Sequence, residues 1–338
     1  MCNCWSRDAP VAVSNHATGA SRPQIPENET SEAPNPPCAV KALLTNLTLF
    51  MAESPEHPNE EILIEATHGW RFLNWAELWA YRDLLRLLVL RDFTTRYKQT
   101  VLGPLWHLFQ PLFTTIVFTV VFSHVAELPT NGLPPTLFYL CGLLAWNYFS
   151  QTFSSTSSTL VANAGLFGKV YFPRLIVPLS GVVSNLISFL LQLMSFFAIM
   201  IIYRASHPGT EAAPRWNAIL FIPLVLLQLA AFSLGVGLWI SALTAKFRDF
   251  AVLSGFLIQI WMYLTPIILP LAKVPPQWHI YVALNPVTMP VECFRYFLLG
   301  NGWINSSLIL ASIGATLFAL VTGLFIFQRV EKTFIDTV

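Results

Sequence analysis

Glu292 and Arg295 lie three residues apart in LNPVTMPVECFRYFLLG (284–300), a spacing that puts opposite charges on one face of a helix. Such a pair can serve a functional re-entrant segment or form a plain surface salt bridge, and both readings stand at this point. A second stretch, NAGLFGKVYFPR (163–174), imitates a phosphate loop. The nucleotide pattern G-x-x-x-x-G-K-[ST] uses backbone amides to cradle phosphates and a hydroxyl to hold magnesium. Here Gly165 stands only three residues before Gly168 and Val170 follows Lys169, so the pattern is not met. The aspartates (Asp8, Asp83, Asp92, Asp249, Asp336) are dispersed, and no nucleophile, base and carboxylate gather into a catalytic set. Cys2, Cys4, Cys38, Cys141 and Cys293 show no CxxC spacing, which predicts neither a zinc site nor a disulfide framework. The expectation is a chain without catalytic, cofactor-binding or metal-binding residues of its own.

The elements that carry these residues are set by composition. Of 338 residues, 54% are hydrophobic and 11% charged, against about 25% charged in a soluble domain. A net charge of +1 makes nucleic acid an unsuitable partner. A membrane helix needs about 20 mostly apolar residues, and a central charge costs about 2.5–3.5 kcal/mol on insertion. Charge-free intervals therefore delimit spans. They run between Lys98 and Glu127, Glu127 and Lys169, Arg174 and Arg204, Arg215 and Lys246, Asp249 and Lys273, and Arg295 and Arg329. They predict six transmembrane helices near 104–125, 136–161, 175–203, 217–243, 250–270 and 304–327. Pro129, Pro134, Pro135, Pro173, Pro178, Pro266 and Pro270 mark edges. Asn285-Pro286 starts a further short helix through Leu299, too short to span and suited to a re-entrant or interfacial position.

Lysine and arginine favour the cytoplasmic side. From residue 71 onward, Arg71, Arg82, Arg86, Arg91, Arg96, Lys98, Lys169, Arg174, Lys246, Arg248, Arg329 and Lys332 fall on one side, and Arg204, Arg215, Lys273 and Arg295 on the other. Both termini are thereby expected in the cytoplasm. The six spans hold no acidic or basic residue, whereas proton- and ion-coupled carriers generally place one inside the bilayer.

Residues 1–60, rich in Pro, Asn, Ser and Glu, read as a disordered extension, and Met51 opens a segment that would serve as a start of its own. Residues 61–98 form a cytoplasmic segment and 99–338 the membrane domain. Asn74 and Glu77 resemble a capping box, and Leu78, Tyr81, Leu84, Leu85 and Leu88 make an apolar stripe with Arg82, Asp83 and Arg86 off it. This suits an amphipathic helix in the membrane interface, the alternative being a soluble helix packed on a partner. Arg91, Arg96 and Lys98 add a basic anchor with attraction to anionic lipid. Physics alone leaves a six-span protein without an energy source, and keeps a channel, a scaffold and a membrane transferase open.

The run ELWAYRDLLRLLVLRDFTTRYKQTVLGPLWHLFQPL (77–112) resembles the amino-terminal signature of type-2 ABC permeases that export polysaccharides such as O-antigen, capsule and teichoic acid. KVYFPRLIVPL (169–179), ALTAKFRDF (242–250), YLTPIILP (263–270), LNPVTMPVECFRYFLLG (284–300) and FQRVEKTFIDTV (327–338) extend the resemblance over about residues 58–338. It implies a permease that pairs with a second copy of itself in the inner membrane. Each copy would dock a separate ATP-binding subunit, which holds ATP and magnesium, and the cargo would be a lipid-linked polysaccharide. Another amphipathic cargo, a lipid or a drug, is the alternative. Lys169, Tyr171, Phe172, Pro173 and Arg174 would form the loop seated in the ATPase, with Arg82, Arg86, Arg91, Arg96 and Lys98 on the helix beside it. The family's aromatic-lined path would draw on Trp106, Phe109, Gln110, Phe113, Trp146, Tyr148, Phe149, Trp261 and Tyr263. Gln151 and Phe153 are also available to it, and each aromatic has lipid-facing anchorage as its alternative role.

Overall fold

The computed structural model describes residues 75–98, 103–167, 172–208 and 213–334. By internal contacts the chain falls into two units, Met1–His68 and Gly69–Val338, and everything described belongs to the second. The expected extension over 1–60, the capping residue Asn74, and the loop residues Lys169 and Tyr171 lie outside the described residues.

Among the described residues the chain is helical and contains no strand. Two amino-terminal helices, α1 (Trp75–Ala80) and α2 (Arg82–Tyr97), are separated by a single turn residue, Tyr81. Then come α3 (Trp106–Phe118), α4 (Pro135–Ser157), α5 (Ile176–Ser206), α6 (Ile222–Lys246), α7 (Asp249–Leu264), α8 (Pro276–Leu284), α9 (Thr288–Leu299) and α10 (Ser306–Phe334). Among the described residues four helical stretches are long and apolar enough to cross a membrane: Leu108–Val125, Ile176–Ser206, Trp216–Lys246 and Ser306–Glu331.

Two of the six expected spans differ in character. The carboxy-terminal half of α4 carries SQTFSSTS, which lowers its hydropathy, yet every residue from Leu137 to Trp146 is buried. A helix covered on all faces can carry polar groups because its neighbours, rather than lipid, surround it. By contacts α4 is the hub, touching α3, α5, α6, α7 and α9. The other, α7, has 16 residues, about 24 Å at 1.5 Å per residue and short of a bilayer core of about 30 Å. It ends where Pro266 prevents continuation, and none of its residues is buried.

The broadest helix contact joins α6 to α10. It depends on glycine: a Cβ on Gly235 would sit 2.6 Å from the Ala319 carbonyl carbon, and one on Gly323 would strike the Gly235 carbonyl oxygen. Small residues that let two backbones touch are the usual means of holding helices together in lipid, where burial supplies little drive. Gln228 donates to Ser312 Oγ at 2.7 Å and Trp239 Nε1 to Thr322 Oγ1 at 3.1 Å across the same contact.

The expected helix before the last span is α9, closed by Gly300 in the left-handed region at φ 77°. Short helices are expected before the last span, but the sequence assigns no position to the one that precedes α9, here α8. Its Pro275-Pro276 start reads as a loop in sequence, but proline at the first helical position has no hydrogen bond to lose.

Candidate functional site

Leu88, Phe172, Ile176 and Val177 form a buried cluster flanked by Leu78, Tyr81, Leu84, Leu85, Leu166 and Phe167. The amphipathic stripe thus faces α5 and the residues before it, not lipid alone. Leu87, Leu90 and Trp79 point away and are exposed. Of the basic residues on α2, Arg86 pairs with exposed Asp83 at 3.3 Å and Arg91 with Asp92 at 2.8 Å, while Arg82 lies over the Trp79 ring and Lys98 is exposed. Arg96 differs: its Nη1 donates to Asn185 Oδ1 on α5 at 3.0 Å.

Phe172 is buried, Pro173 is half-buried, and Arg174 does not face outward as expected of a partner-binding residue. With 6% of its surface exposed, it donates from Nη1 to the Glu331 carbonyl at 2.7 Å and approaches the Glu331 carboxylate at 3.7 Å. The Phe167 ring lies under its guanidinium at 5.4 Å. A cation so placed ties the segment before α5 to the end of α10.

Asn185 leads into the bundle, donating to Ser155 Oγ at 3.1 Å and Thr152 Oγ1 at 3.4 Å on α4. Ser180, Ser184, Ser188 and Gln192 recur every fourth residue on α5 and are all buried. Gln192 Oε1 accepts from Asn147 Nδ2 at 3.5 Å. This polar stripe escaped the sequence reading, although its SxxxSxxxSxxxQ spacing was the available signal.

The charged pair is buried, not a surface bridge. Glu292 and Arg295 are 2% and 1% exposed, with Arg295 Nη1 2.9 Å from Glu292 Oε1. Arg295 Nη2 donates to the Ile267 carbonyl at 2.9 Å, and its guanidinium lies 3.9 Å from the Phe138 ring centroid. Glu292 accepts from the backbone N–H of Trp303 at 3.0 Å and of Leu271 at 3.5 Å. One knot therefore joins α9 to the turn after α7, to the segment before α10, and to α4. A buried ion pair is tolerable only when further hydrogen bonds replace lost water, and these contacts supply that replacement for Glu292 and for both terminal nitrogens of Arg295, though not for its buried Nε.

The aromatic candidates divide. Trp146, Tyr148 and Phe149 are buried in the interior, Phe149 5.7 Å from Phe232 and 5.2 Å from Trp261, and Tyr148 5.6 Å from Phe189. Phe153 is buried with them, while Gln151 is half-buried. Trp261 is half-buried and donates to Asn285 Oδ1 at 2.9 Å. Trp106, Phe109 and Phe113 on α3 are 53%, 38% and 61% exposed, Tyr263 on α7 is 70% exposed, and Gln110 is exposed. Both helices lean on α4 and turn an aromatic face outward.

Residues 83–299 match the family model described as ABC-2 type transporter. The chain belongs to the ABC-2 type transporter family. The matched region of this ABC-2 protein includes the polar stripe of α5, the Glu292–Arg295 pair and both aromatic faces, and ends on the last residue of α9. Curated relatives extend further. The chain is 27% identical over 264 residues, 78% of its length and 98% of the relative's, to the O-antigen export system permease protein RfbA of Myxococcus xanthus. It is 26% identical over 254 residues to the protein of that name from Klebsiella pneumoniae, covering 75% of this chain and 94% of the relative. With the polysialic acid transport protein KpsM of Escherichia coli it shares 24% over 252 residues, 74% of this chain and 94% of the relative.

Proposed function

We propose that this chain is the transmembrane permease subunit of an ATP-driven exporter that moves lipid-linked polysaccharide outward across the inner membrane. The observation that carries the reading is the match along 94–98% of the length of relatives named for O-antigen and polysialic acid export. Six spans result when α4, sheltered by its neighbours, and α7, completed by the turn after it, join the four long apolar stretches. The basic-residue count then puts both termini in the cytoplasm, with residues 61–98 as a cytoplasmic segment carrying the interface helix and 99–338 as the membrane domain.

The catalytic work falls to a separate ATP-binding subunit that holds ATP and magnesium. Its seat is the loop containing Lys169, Tyr171, Phe172 and Pro173, and Arg174 acts behind it as a positioning residue. Movement of that loop reaches α10 through Glu331 and α2 through the shared apolar cluster, so a push from the ATPase is delivered to several helices together. A second copy of the chain covers the outer face of α7, none of whose apolar residues is fully buried in the single chain. The exposed rings of α3 and α7 then line the path. Sugar C–H faces stack on such rings while hydroxyls exchange hydrogen bonds with Gln110.

The test is affinity purification of the tagged chain from its native membrane with mass spectrometry and an ATPase assay, together with deletion of its gene. The expected result is a stoichiometric Walker-containing partner with vanadate-sensitive hydrolysis, and a deletion strain that loses surface polysaccharide while the lipid-linked polymer accumulates inside. Unchanged surface polysaccharide in the deletion strain overturns the cargo, and a chain without any ATPase even after crosslinking overturns the mechanism.

A further inference from the structure

Arg215 precedes the helical stretch Trp216–Lys246 and belongs to the small minority of basic residues on the side opposite the cytoplasmic cluster. Its guanidinium is held flat over the Tyr296 ring, 4.0 Å from the centroid. Nη1 donates to the Tyr296 hydroxyl and Nη2 to the Gly300 carbonyl at 3.0 Å. The Arg215 backbone N–H donates to the Phe297 carbonyl at 3.0 Å, which fixes the residue against α9. Of the five donors of a guanidinium, two are used in these side-chain bonds. Among the described residues no carboxylate lies within ion-pair distance of it.

A recess of about 510 Å³ opens beside this cation, lined by Arg215, Trp216, Asn217, Ala218, Phe221 and Tyr296. Trp216 is 74% exposed, as expected for an indole at headgroup depth. Below the recess Leu220, in the turn before α6, and Leu224 and Leu227 on its outer face follow one turn apart, 82%, 63% and 66% exposed. A fixed cation with free donors, an amide beside it, and an apolar stripe leading away match one ligand shape: an anionic head on an acyl chain.

We propose that this recess binds the phosphate headgroup of an anionic membrane phospholipid, its acyl chain lying along Leu220, Leu224 and Leu227. Arg215 supplies the charge, Asn217 an amide donor, and Trp216 covers the glycerol backbone. Pre-orientation on Tyr296 and Gly300 leaves the guanidinium little rotamer freedom to lose on binding. The site does not depend on the exported cargo; only its assignment to the outer leaflet rests on the orientation proposed above. Its failure is therefore distinct from failure of the export reading.

The test is native mass spectrometry of the full-length chain, with any subunit that co-purifies, released from vesicles of equal phosphatidylglycerol and phosphatidylethanolamine. Arg215→Gln removes the charge-assisted bonds and is expected to lower phosphatidylglycerol occupancy about tenfold. Because that variant also disturbs the contact with α9, the deciding pair is at exposed Asn217, for which no tertiary contact is at stake. Asn217→Asp should reduce phosphatidylglycerol retention and Asn217→Lys should increase it, with unchanged elution on size exclusion. Millimolar inorganic phosphate should not displace the lipid, since it lacks the chain. Equal occupancy in both Asn217 variants, or displacement by inorganic phosphate alone, overturns the proposal.

Discussion

Substituting Arg295 with Met tests whether the knot around α9 is held by charge or merely by packing. In the native protein Glu292 accepts from Arg295 and two backbone N–H groups, and Arg295 donates to Glu292 and to Ile267, its Nε alone finding no partner. Met fills much of the volume and leaves Glu292 buried without a countercharge. Breaking a buried pair from one side costs about 3–5 kcal/mol. The unpaired Ile267 carbonyl adds up to about 1–3 kcal/mol, and the lost contact with Phe138 a further 0.5–2 or so, although such terms overlap and do not sum. We expect Arg295→Met to lose about 3–5 kcal/mol of stability by denaturant titration in mixed micelles. The double variant Glu292→Gln/Arg295→Met removes both charges and keeps one acceptor oxygen, which can serve the closer N–H, that of Trp303. It should be more stable than Arg295→Met alone by about 1–3 kcal/mol, since no uncompensated charge remains. A single variant within 1 kcal/mol or so of wild type, or a double variant no better than the single one, would refute the reasoning.

Three further outcomes follow from the same geometry. Gly323→Ala should destabilise by about 1–3 kcal/mol in that titration because its Cβ meets the Gly235 carbonyl, whereas Gly255→Ala, with nothing within 4 Å, should be neutral or slightly stabilising. Arg174→Glu puts a second carboxylate beside Glu331 in a closed space, and should abolish polysaccharide export with membrane insertion retained and partner ATPase no longer coupled to transport; normal export defeats the positioning role. In a background without native cysteines, Phe256→Cys on the exposed face of α7 should yield an oxidised dimer, while Leu220→Cys in the turn before α6 should not, as read on non-reducing gels.

Much of the helix plan was legible in the gaps between charges, since a charge in lipid is costly whatever the tertiary fold. The first, third, fourth and last spans match long apolar helices within a few residues. Alpha-4 and α7 fit less simply, because hydropathy measures compatibility with lipid and α4 is surrounded by protein. The stripe Leu78, Tyr81, Leu84, Leu85, Leu88 was readable as an apolar face, but its cover is supplied by Phe172, Ile176 and Val177. Periodicity shows that a face is buried without showing what buries it.

The sequence by itself determined that the chain is helical, that long charge-free apolar stretches alternate with charged segments, and that it carries the ABC-2 signature, for these depend on local composition and spacing. Only the tertiary structure decided that Glu292 and Arg295 are interior, because i,i+3 spacing is the same on a wet face as in a core. The reach of Arg295 to Ile267, of Arg174 to Glu331, and of Arg96 to Asn185 depends on elements far apart in the chain. It likewise separated Trp146, Tyr148 and Phe149, enclosed by α4's neighbours, from Trp106, Phe109, Phe113 and Tyr263, which stay open. An aromatic ring suits lipid, core and sugar equally well, and which of these it meets depends on the helices packed beside it.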